Sequence, residues 1–365
     1  MYPSFKKTFS RNVLTMKTIF NLAMAAIAAA LPLQASAHHS MAEWDRSNVY
    51  EMEGEIVNVV WANPHIRWTM RITNDEGEDE LWRMAGTSPN HLTRRGVTAE
   101  LLQVGDVITV VGSPSTRRPL NFIVNSALMA DGAEVLWRGL GPAVDPHWPN
   151  ARTVIGSGEW GVAEAASAEP RGLFTVWKLA SVEGCINRDC DMEPLSLTPE
   201  AESVLATWDV ADNWVVRCQR RGMPSIMVNP YPMEFIDQGD TILFRIEFED
   251  NERVIHMADD IDPSTQPRSH MGFSVGRWEN DSTLIVETSR MNFPWQNTSG
   301  APMSEDGFAV ERFALSENEL RLKYEITFTD PGTLTAPSTK RLGWMAVPGI
   351  EIQEIPLDCS DDAYL

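Results

Sequence analysis

The feature that most constrains the fold is a series of short segments in which apolar and polar residues alternate, separated by turn-forming residues. Residues 66–72 alternate in this way, residues 74–77 supply a turn, and residues 80–84 follow as the hairpin partner. A period of two is typical of half-buried β-strands. Six further segments follow at 241–248, 253–257, 273–278, 283–288, 309–315 and 321–328. This pattern predicts a mainly β protein.

The segments fall into two regions joined by a stretch with little periodicity. Residues 38–138 predict a small OB-like barrel of five or six strands, with a helix-start signal at 87–89. Residues 172–365 predict a larger antiparallel β-meander or barrel with few short helices, one of them beginning at 198–200. Residues 139–171 are rich in Gly, Pro, Ala and Ser, and we interpret them as a linker.

The first 37 residues have the composition of an export signal. Four basic and no acidic residues accompany an apolar run at 19–33, and a small-x-small site follows at 35–37. The run is shorter than the roughly 20 residues that span a bilayer. We therefore expect cleavage between Ala37 and His38 and a periplasmic or secreted mature protein. An N-terminal membrane anchor is the alternative, and Met16 is an alternative start to Met1.

The mature chain is expected to be strongly acidic. Cleavage changes the formal net charge from −21 to −25, because four basic residues are lost and all 51 acidic residues stay. Such a surface repels phosphate backbones and anionic lipids, so we expect no nucleic-acid partner. No later segment is apolar enough to span a bilayer, so we also expect a soluble chain without stable membrane insertion. A metal ion, a small apolar ligand and a partner protein stay open as partners.

Four cysteines lie in the second half, at Cys185, Cys190, Cys218 and Cys359. An even number in an exported protein favours disulfide bonds. Cys185 and Cys190 enclose a short loop, which would leave Cys218 to pair with Cys359. Four cysteines allow three connectivities, and a thiolate zinc site is a further alternative, so the pairing stays open.

Several motifs of the first region form a recognisable set. They are HHS at 38–40, GEI at 54–56, WANPH at 61–65 and VGD at 104–106. With these motifs, roughly residues 38–136 resemble DUF6152, a family of secreted bacterial proteins of unknown function. The resemblance implies export but no reaction.

The second region resembles another group of uncharacterised exported bacterial proteins. The matching segments are Cys218 with GMP at 222–224, GFSVGRWE at 272–279, ERF at 311–313 and Cys359. Those proteins usually carry an Asp-Gly-Arg segment where this chain has Ala-Asp-Asp at 258–260. This resemblance also implies no reaction.

The predicted mature N-terminus carries a candidate metal site. Cleavage would expose the α-amine of His38, with a pKa near 8, so that one residue offers an amine and an imidazole nitrogen. A further imidazole from His65 or the adjacent His39, with His91 as a reserve ligand, would complete a nitrogen set that suits copper. The alternatives are a solvated histidine tail and, for His65, a structural hydrogen bond within its loop.

A second candidate set lies in the larger region, at His256, His270, Arg277, Trp278 and Glu279. A histidine beside a carboxylate can act as a general base, and an arginine can hold an anionic group. A hairpin end whose Trp278 closes a barrel mouth is the structural alternative.

Three functions stay open at this point. The first is an exported periplasmic binding protein that holds copper through His38. The second is a pair of non-catalytic β-barrel modules that bind a small apolar ligand or a partner protein, for which six tryptophans could line a site. The third is an enzyme with a pocket in the larger region. The six tryptophans of the second function are Trp137, Trp148, Trp160, Trp177, Trp208 and Trp214.

Overall fold

The protein is mainly β and forms two barrels, which confirms the predicted fold class. The computed structural model describes residues 44–45, 49–116, 118–137, 145–158, 167, 169, 171–180, 195–209, 219–229, 231–258 and 261–355. The predicted signal peptide, His38, His39 and all four cysteines lie outside these residues.

The small barrel is a five-stranded structure with OB-fold topology. Its sheet has the strand order β3-β2-β1-β4-β5-β6-β7, and an additional parallel pairing of β3 with β5 closes the barrel. The five barrel strands are β1 (Tyr50–Val60), β2 (Arg67–Thr73), β3 (Asp79–Ala85), β4 (Val107–Pro114) and β5 (Asn121–Leu128), and the sheet continues beyond β5 with β6 (Ala133–Leu136) and β7 (Thr153–Ile155). Strand β7 lies within the segment interpreted as a linker and extends the first sheet.

Side-chain alternation explains why these strands close around one core. Ile56, Trp68, Met70 and Val110 point inward and are almost fully buried. The predicted helix is present at Pro89–Thr93, where the Ser88 side chain accepts a hydrogen bond from the backbone of the first turn.

The large barrel closes in the order β10-β11-β12-β13-β14-β15-β16-β8-β9. Most neighbours are antiparallel, but β11 and β12 are parallel, so the connection between them returns to the starting end of the barrel. Its strands are β8 (Val176–Leu179), β9 (Met233–Asp237), β10 (Thr241–Ile246), β11 (Asn251–His256), β12 (Phe273–Asn280), β13 (Thr283–Ser289), β14 (Phe308–Leu315), β15 (Arg321–Thr329) and β16 (Ser338–Ala346).

The predicted helix near residue 198 is also present, at Pro199–Thr207, and the Thr198 side chain accepts a hydrogen bond from Ala201 N at 3.2 Å. Four 3₁₀ turns complete the described helical structure, at Ala99–Leu101, Ser225–Met227, Phe248–Asp250 and Pro263–Thr265. In the described part of the chain, no helix is long and apolar enough to cross a membrane.

A buried ion pair lies among the aromatic side chains inside the large barrel. Arg253 and Glu311 are 2.8 Å apart, and their side chains are 1% and 0% exposed. Glu311 also accepts a hydrogen bond from the Tyr324 hydroxyl at 2.9 Å, and the Arg253 guanidinium lies 5.4 Å from the Phe244 ring centre. Burial and the neighbouring Glu311 carboxylate raise the pKa of Tyr324, so this phenol stays protonated and donates.

A second buried ion pair joins the two barrels. Arg94, which follows the helix of the small barrel, donates hydrogen bonds from both terminal guanidinium nitrogens to the Glu247 carboxylate at the end of β10. These side chains are 5% and 0% exposed. Beside them, the ring of His91 packs 4.6 Å from Tyr231, which packs 4.7 Å from Phe248.

The C-terminal segment 349–355 lies against this ion pair and contacts both barrels. Glu247 accepts a hydrogen bond from Gln353 N at 2.8 Å, and Arg94 donates to Glu351 O at 2.9 Å. From the small barrel, Asn90 and Asn63 donate to the carbonyl oxygens of residues 353 and 355 at 3.3 and 3.0 Å. The segment therefore connects the barrels through its own backbone.

We expect Glu247→Gln to lower the free energy of unfolding by about 3–5 kcal/mol, because it leaves the Arg94 charge buried without a counter-charge. Adding Arg94→Met to this variant should restore part of the loss. Urea unfolding measures both changes. Arg341→Ala, which breaks an ion pair with Glu325 between exposed side chains, is the control and should have little effect. Equal effects of Glu247→Gln and Arg341→Ala would contradict this account.

The interior ion pair gives a separate prediction. Glu311→Gln should destabilise the protein by about 3–5 kcal/mol, because it leaves the buried Arg253 charge without the carboxylate that pairs with it. Tyr324→Phe keeps the ring and removes one hydrogen bond to a charged group, so we expect a loss of about 1–3 kcal/mol. Thermal unfolding measures both, with Thr339→Val on the outer wall, where Thr339 contacts the Thr327 hydroxyl at 3.0 Å, as the control. A Glu311→Gln variant as stable as the control would refute the assignment.

Candidate functional site

The loop between β1 and β2 presents His65 on the surface of the small barrel. Asn63, two residues earlier, is buried and holds the loop against the C-terminal segment. The Nδ1 atom of His65 lies 3.2 Å from Gly86 O. Because a carbonyl oxygen only accepts hydrogen bonds, Nδ1 carries the proton, and the lone pair of the neutral ring is on Nε2.

The surroundings of His65 favour its neutral form. The side chain has an exposed face, but desolvation by the protein packed around it lowers its pKa below the ordinary value of 6.5. The hydrogen bond to Gly86 acts in the opposite direction, and the charge of Arg67 adds a smaller lowering. The ring is therefore neutral at pH 7, with Nε2 able to accept a proton or bind a metal.

The chain enters the small barrel close to the end of β4. Trp44 forms an isolated antiparallel bridge with Ser115, and Asp45 N donates to Pro114 O at 3.0 Å. Trp44 is six residues after His38. His38 and His39 lie outside the described residues, so their part in a site stays a prediction.

The strand register relates this entry point to the loop of His65. Ser115 N donates to Asn121 O, and Asn121 pairs with Arg83 on β3, three residues before Gly86. Gly86 thus lies about three residues along and three strands across from Trp44. At about 3.3 Å per residue and 4.8 Å per strand, this is roughly 18 Å along the barrel surface.

His91 and His65 differ in their solvent exposure. His91 is 2% exposed and packs against Tyr231 of the large barrel, whereas His65 is exposed. A third histidine of the small barrel, which the sequence analysis did not single out, is His147. Its Nε2 lies 3.2 Å from a carboxylate oxygen of Glu51 on the outer surface.

The candidate residues of the large barrel do not converge on one site. His256 stacks on Phe273 with ring centres 4.5 Å apart, while His270 is exposed and precedes β12. Glu279 is near the other end of β12, roughly 20 Å from its first residue at about 3.3 Å per residue. The set is therefore spread from the end of β11 to the far end of β12 and does not converge on one point.

Three members of that set alternate across the wall of the barrel. Arg277 and Glu279 point outward, and they make ion pairs with Glu287 at 3.9 Å and with Arg312 at 2.7 Å. Trp278 lies on the other face, 42% exposed, and its ring centre is 6.4 Å from that of Phe174. The charges thus belong to the solvated outer face, and Trp278 is at the barrel mouth.

Large side chains occupy the interior positions where a small apolar ligand would bind. Trp177, Phe244, Phe313 and Trp344 are almost fully buried in the large barrel, and Trp137 is fully buried in the small one. Trp148 and Trp208 are half-buried, and Trp160 and Trp214 lie outside the described residues. Packing accounts for the buried tryptophans.

A cluster of three or more His, Cys, Asp or Glu side chains that could hold a metal is absent from the described part of the chain. A site at the predicted mature N-terminus would combine the exposed His65 with residues outside that part.

A protein-family model matches part of the N-terminal region. Residues 26–119, about a quarter of the chain, match DUF6152, a family of unknown function. This confirms the resemblance of the N-terminal region, although the match begins earlier and ends earlier than residues 38–136. The resemblance of the second region stays a prediction. A search of curated proteins finds no match.

Several residues with notable chemistry were missed by sequence reasoning. Arg253, Glu311 and Lys340 all lie on inward positions of barrel strands. A charged residue between apolar neighbours at i−2 and i+2 was the available signal for Glu311, whereas Arg253 has Asn251 at i−2 and carried no such signal. Strand β16, which carries Lys340, was not predicted, because its sequence STKRLGWMA does not alternate cleanly.

We expect the pKa of His65 to be below 6.5 in a pH titration followed by ¹H–¹⁵N NMR, with Nδ1 as the protonated nitrogen of the neutral ring. Because the unfolded state binds the proton more tightly, the free energy of unfolding should fall as the pH drops below 6.5. His65→Gln should reduce this dependence, whereas His147→Gln is the control with an exposed ring. A His65 pKa above 6.5 would contradict the expected desolvation.

Proposed function

We propose that the exported mature chain is a binding protein that holds one copper ion through the α-amine and imidazole of His38, with His65 as the third nitrogen ligand. The observation that carries the proposal is the state of His65, an exposed, neutral imidazole whose Nδ1–H is held by Gly86 O. The proposal also rests on the predicted cleavage before His38.

The arrangement around His65 suits a metal ligand for a chemical reason. A histidine that binds a metal through one ring nitrogen usually donates its other N–H to a carbonyl or carboxylate, which fixes the tautomer and the ring orientation. Gly86 O supplies that acceptor here. Amine and imidazole nitrogens are the donors that copper prefers, and binding requires that they be deprotonated.

The length of chain before Trp44 supports the proposed partnership. Six residues separate His38 from Trp44 and can span at most about 20 Å. The path from Trp44 to Gly86, which holds His65, is about 18 Å along the barrel surface. These two lengths are compatible with the proposed pair of ligands.

The position of His65 also agrees with how OB folds bind ligands. In that fold the loops between strands 1 and 2 and between strands 4 and 5 border the ligand-binding face. His65 is in the first of these loops, and Ser115, which pairs with Trp44, begins the second. In this proposal His39 is an alternative ligand, while buried His91 packs against Tyr231.

The test is copper titration of mature protein exported in its native form, by calorimetry and electron paramagnetic resonance. We expect tight one-to-one binding with nitrogen hyperfine structure. One alanine added before His38 should remove the tight site, because it displaces the amine from the imidazole. His65→Ala should weaken binding by at least tenfold through loss of the third nitrogen.

His147→Ala is the matched control, since it removes another exposed histidine of the same barrel and should leave affinity unchanged. Circular dichroism establishes that each variant is folded. Weak binding that is equal in the natural and extended proteins would refute the proposal. Tight binding unaffected by His65→Ala would keep the amine site and refute the role of His65.

A further inference from the structure

A small cavity opens at the end of the large barrel where β15 ends and β16 begins. Its apolar wall includes Leu195, Ile326 and Phe328, and its polar groups are Gln296, Ser338 and Lys340. Lys340 is on the inward face of β16, two residues after Ser338, and pairs across the sheet with Ile326. Its amine is therefore directed into an apolar environment.

Two polar atoms that line this cavity can accept or donate further hydrogen bonds. Gln296 is 1% exposed, and its Nε2 donates to Pro302 O and to Thr333 Oγ1, both at 2.7 Å. Its orientation is thereby fixed, and Oε1 has no partner among the described residues. The Ser338 hydroxyl, on a residue 8% exposed, likewise has no partner there.

Lys340 differs from Arg253, which also takes an inward position in this barrel. Arg253 is paired with Glu311, whereas no ion pair of Lys340 occurs among the described residues, and no other lining residue of its cavity is ionisable. Desolvation lowers the pKa of Lys340 to about 8. At pH 7 roughly 10% of such an amine is neutral, compared with less than about 0.1% of an ordinary lysine.

We propose that Lys340 is a nucleophilic amine site that takes small aldehydes as an imine at Nζ. Lysines that are desolvated in apolar pockets are the ones that form Schiff bases, because the neutral amine is the nucleophile. The side chain is half-buried, so the amine can be reached from solvent, and the cavity beside it has room for a group about the size of a water molecule, which limits its partner to a small carbonyl compound. The site is independent of the proposed copper ligands.

The reaction needs no further reagent. The Nζ lone pair adds to the carbonyl carbon, and the carbonyl oxygen takes up a proton released by nitrogen, which gives a carbinolamine. Loss of the hydroxyl with the second nitrogen proton releases water and forms the C=N bond. Gln296 Oε1 is an acceptor suited to the carbinolamine hydroxyl, and the Ser338 hydroxyl can donate or accept a proton beside it.

The sequence makes the experiment simple, because only Lys178, Lys323 and Lys340 lie after residue 37. The protein is treated with acetaldehyde and cyanoborohydride, which reduces an imine to a stable secondary amine. Peptide mass spectrometry then gives the rate at each lysine. At pH 7 we expect Lys340 to react at least tenfold faster than Lys323, which is exposed on β15, with a pH midpoint near 8.

Denaturing urea should remove the difference between the two lysines, since it abolishes the cavity. Lys340→Met should eliminate the fast reaction and leave the rate at Lys323 unchanged, with circular dichroism as the check on folding. A rate at Lys340 equal to or below that at Lys323, or a midpoint near 10, would overturn the proposal.

Discussion

The arrangement of the two barrels depends on the carboxylate of Glu247. It lies at the end of β10, and it accepts hydrogen bonds from Arg94 of the small barrel and from the backbone of Gln353. A buried charge of either sign is costly unless its partner is close, so each group requires the other. The same contacts extend along the C-terminal segment to Asn63, which holds the loop of His65. A contact between barrels therefore bears on the geometry of a surface site.

Local sequence patterns were sufficient to predict most strands, but not the pairings that close the sheets into barrels. Period-2 alternation identified the hairpin of β2 and β3 and the run from β10 to β15, and capping residues identified both helices. Strands β7, β8, β9 and β16 were missed. In β16, Lys340 takes an inward position and Gly343 an outward one, so polarity does not report the face. The parallel pairing of β11 with β12 depends on a long connection, which alternation does not describe.

The candidate sites show the same limit at the level of single side chains. The sequence singled out His65 from its motif, but the acceptor that fixes its tautomer is 21 residues away, at Gly86. His91 was the reserve candidate for the same site, yet it packs against Tyr231 at a contact between barrels. Arg94 and Glu247 are 153 positions apart, and neither has a local pattern that marks it as buried. The solvent exposure of these side chains and the identity of their partners are therefore set by tertiary structure, and local sequence patterns do not predict them.

Two cationic side chains at inward positions of the large barrel have different surroundings. The difference indicates which of them has a structural role and which is available for a reaction. Arg253 has a carboxylate, a phenol donating to that carboxylate, and an aromatic face nearby, so its charge is satisfied where it lies. Lys340 has an apolar wall and two polar atoms with spare capacity. An apolar residue at this position would fill the same space without the cost of desolvating an ammonium group. The amine therefore adds nothing to packing that a methionine could not supply, and what it does add is nucleophilicity.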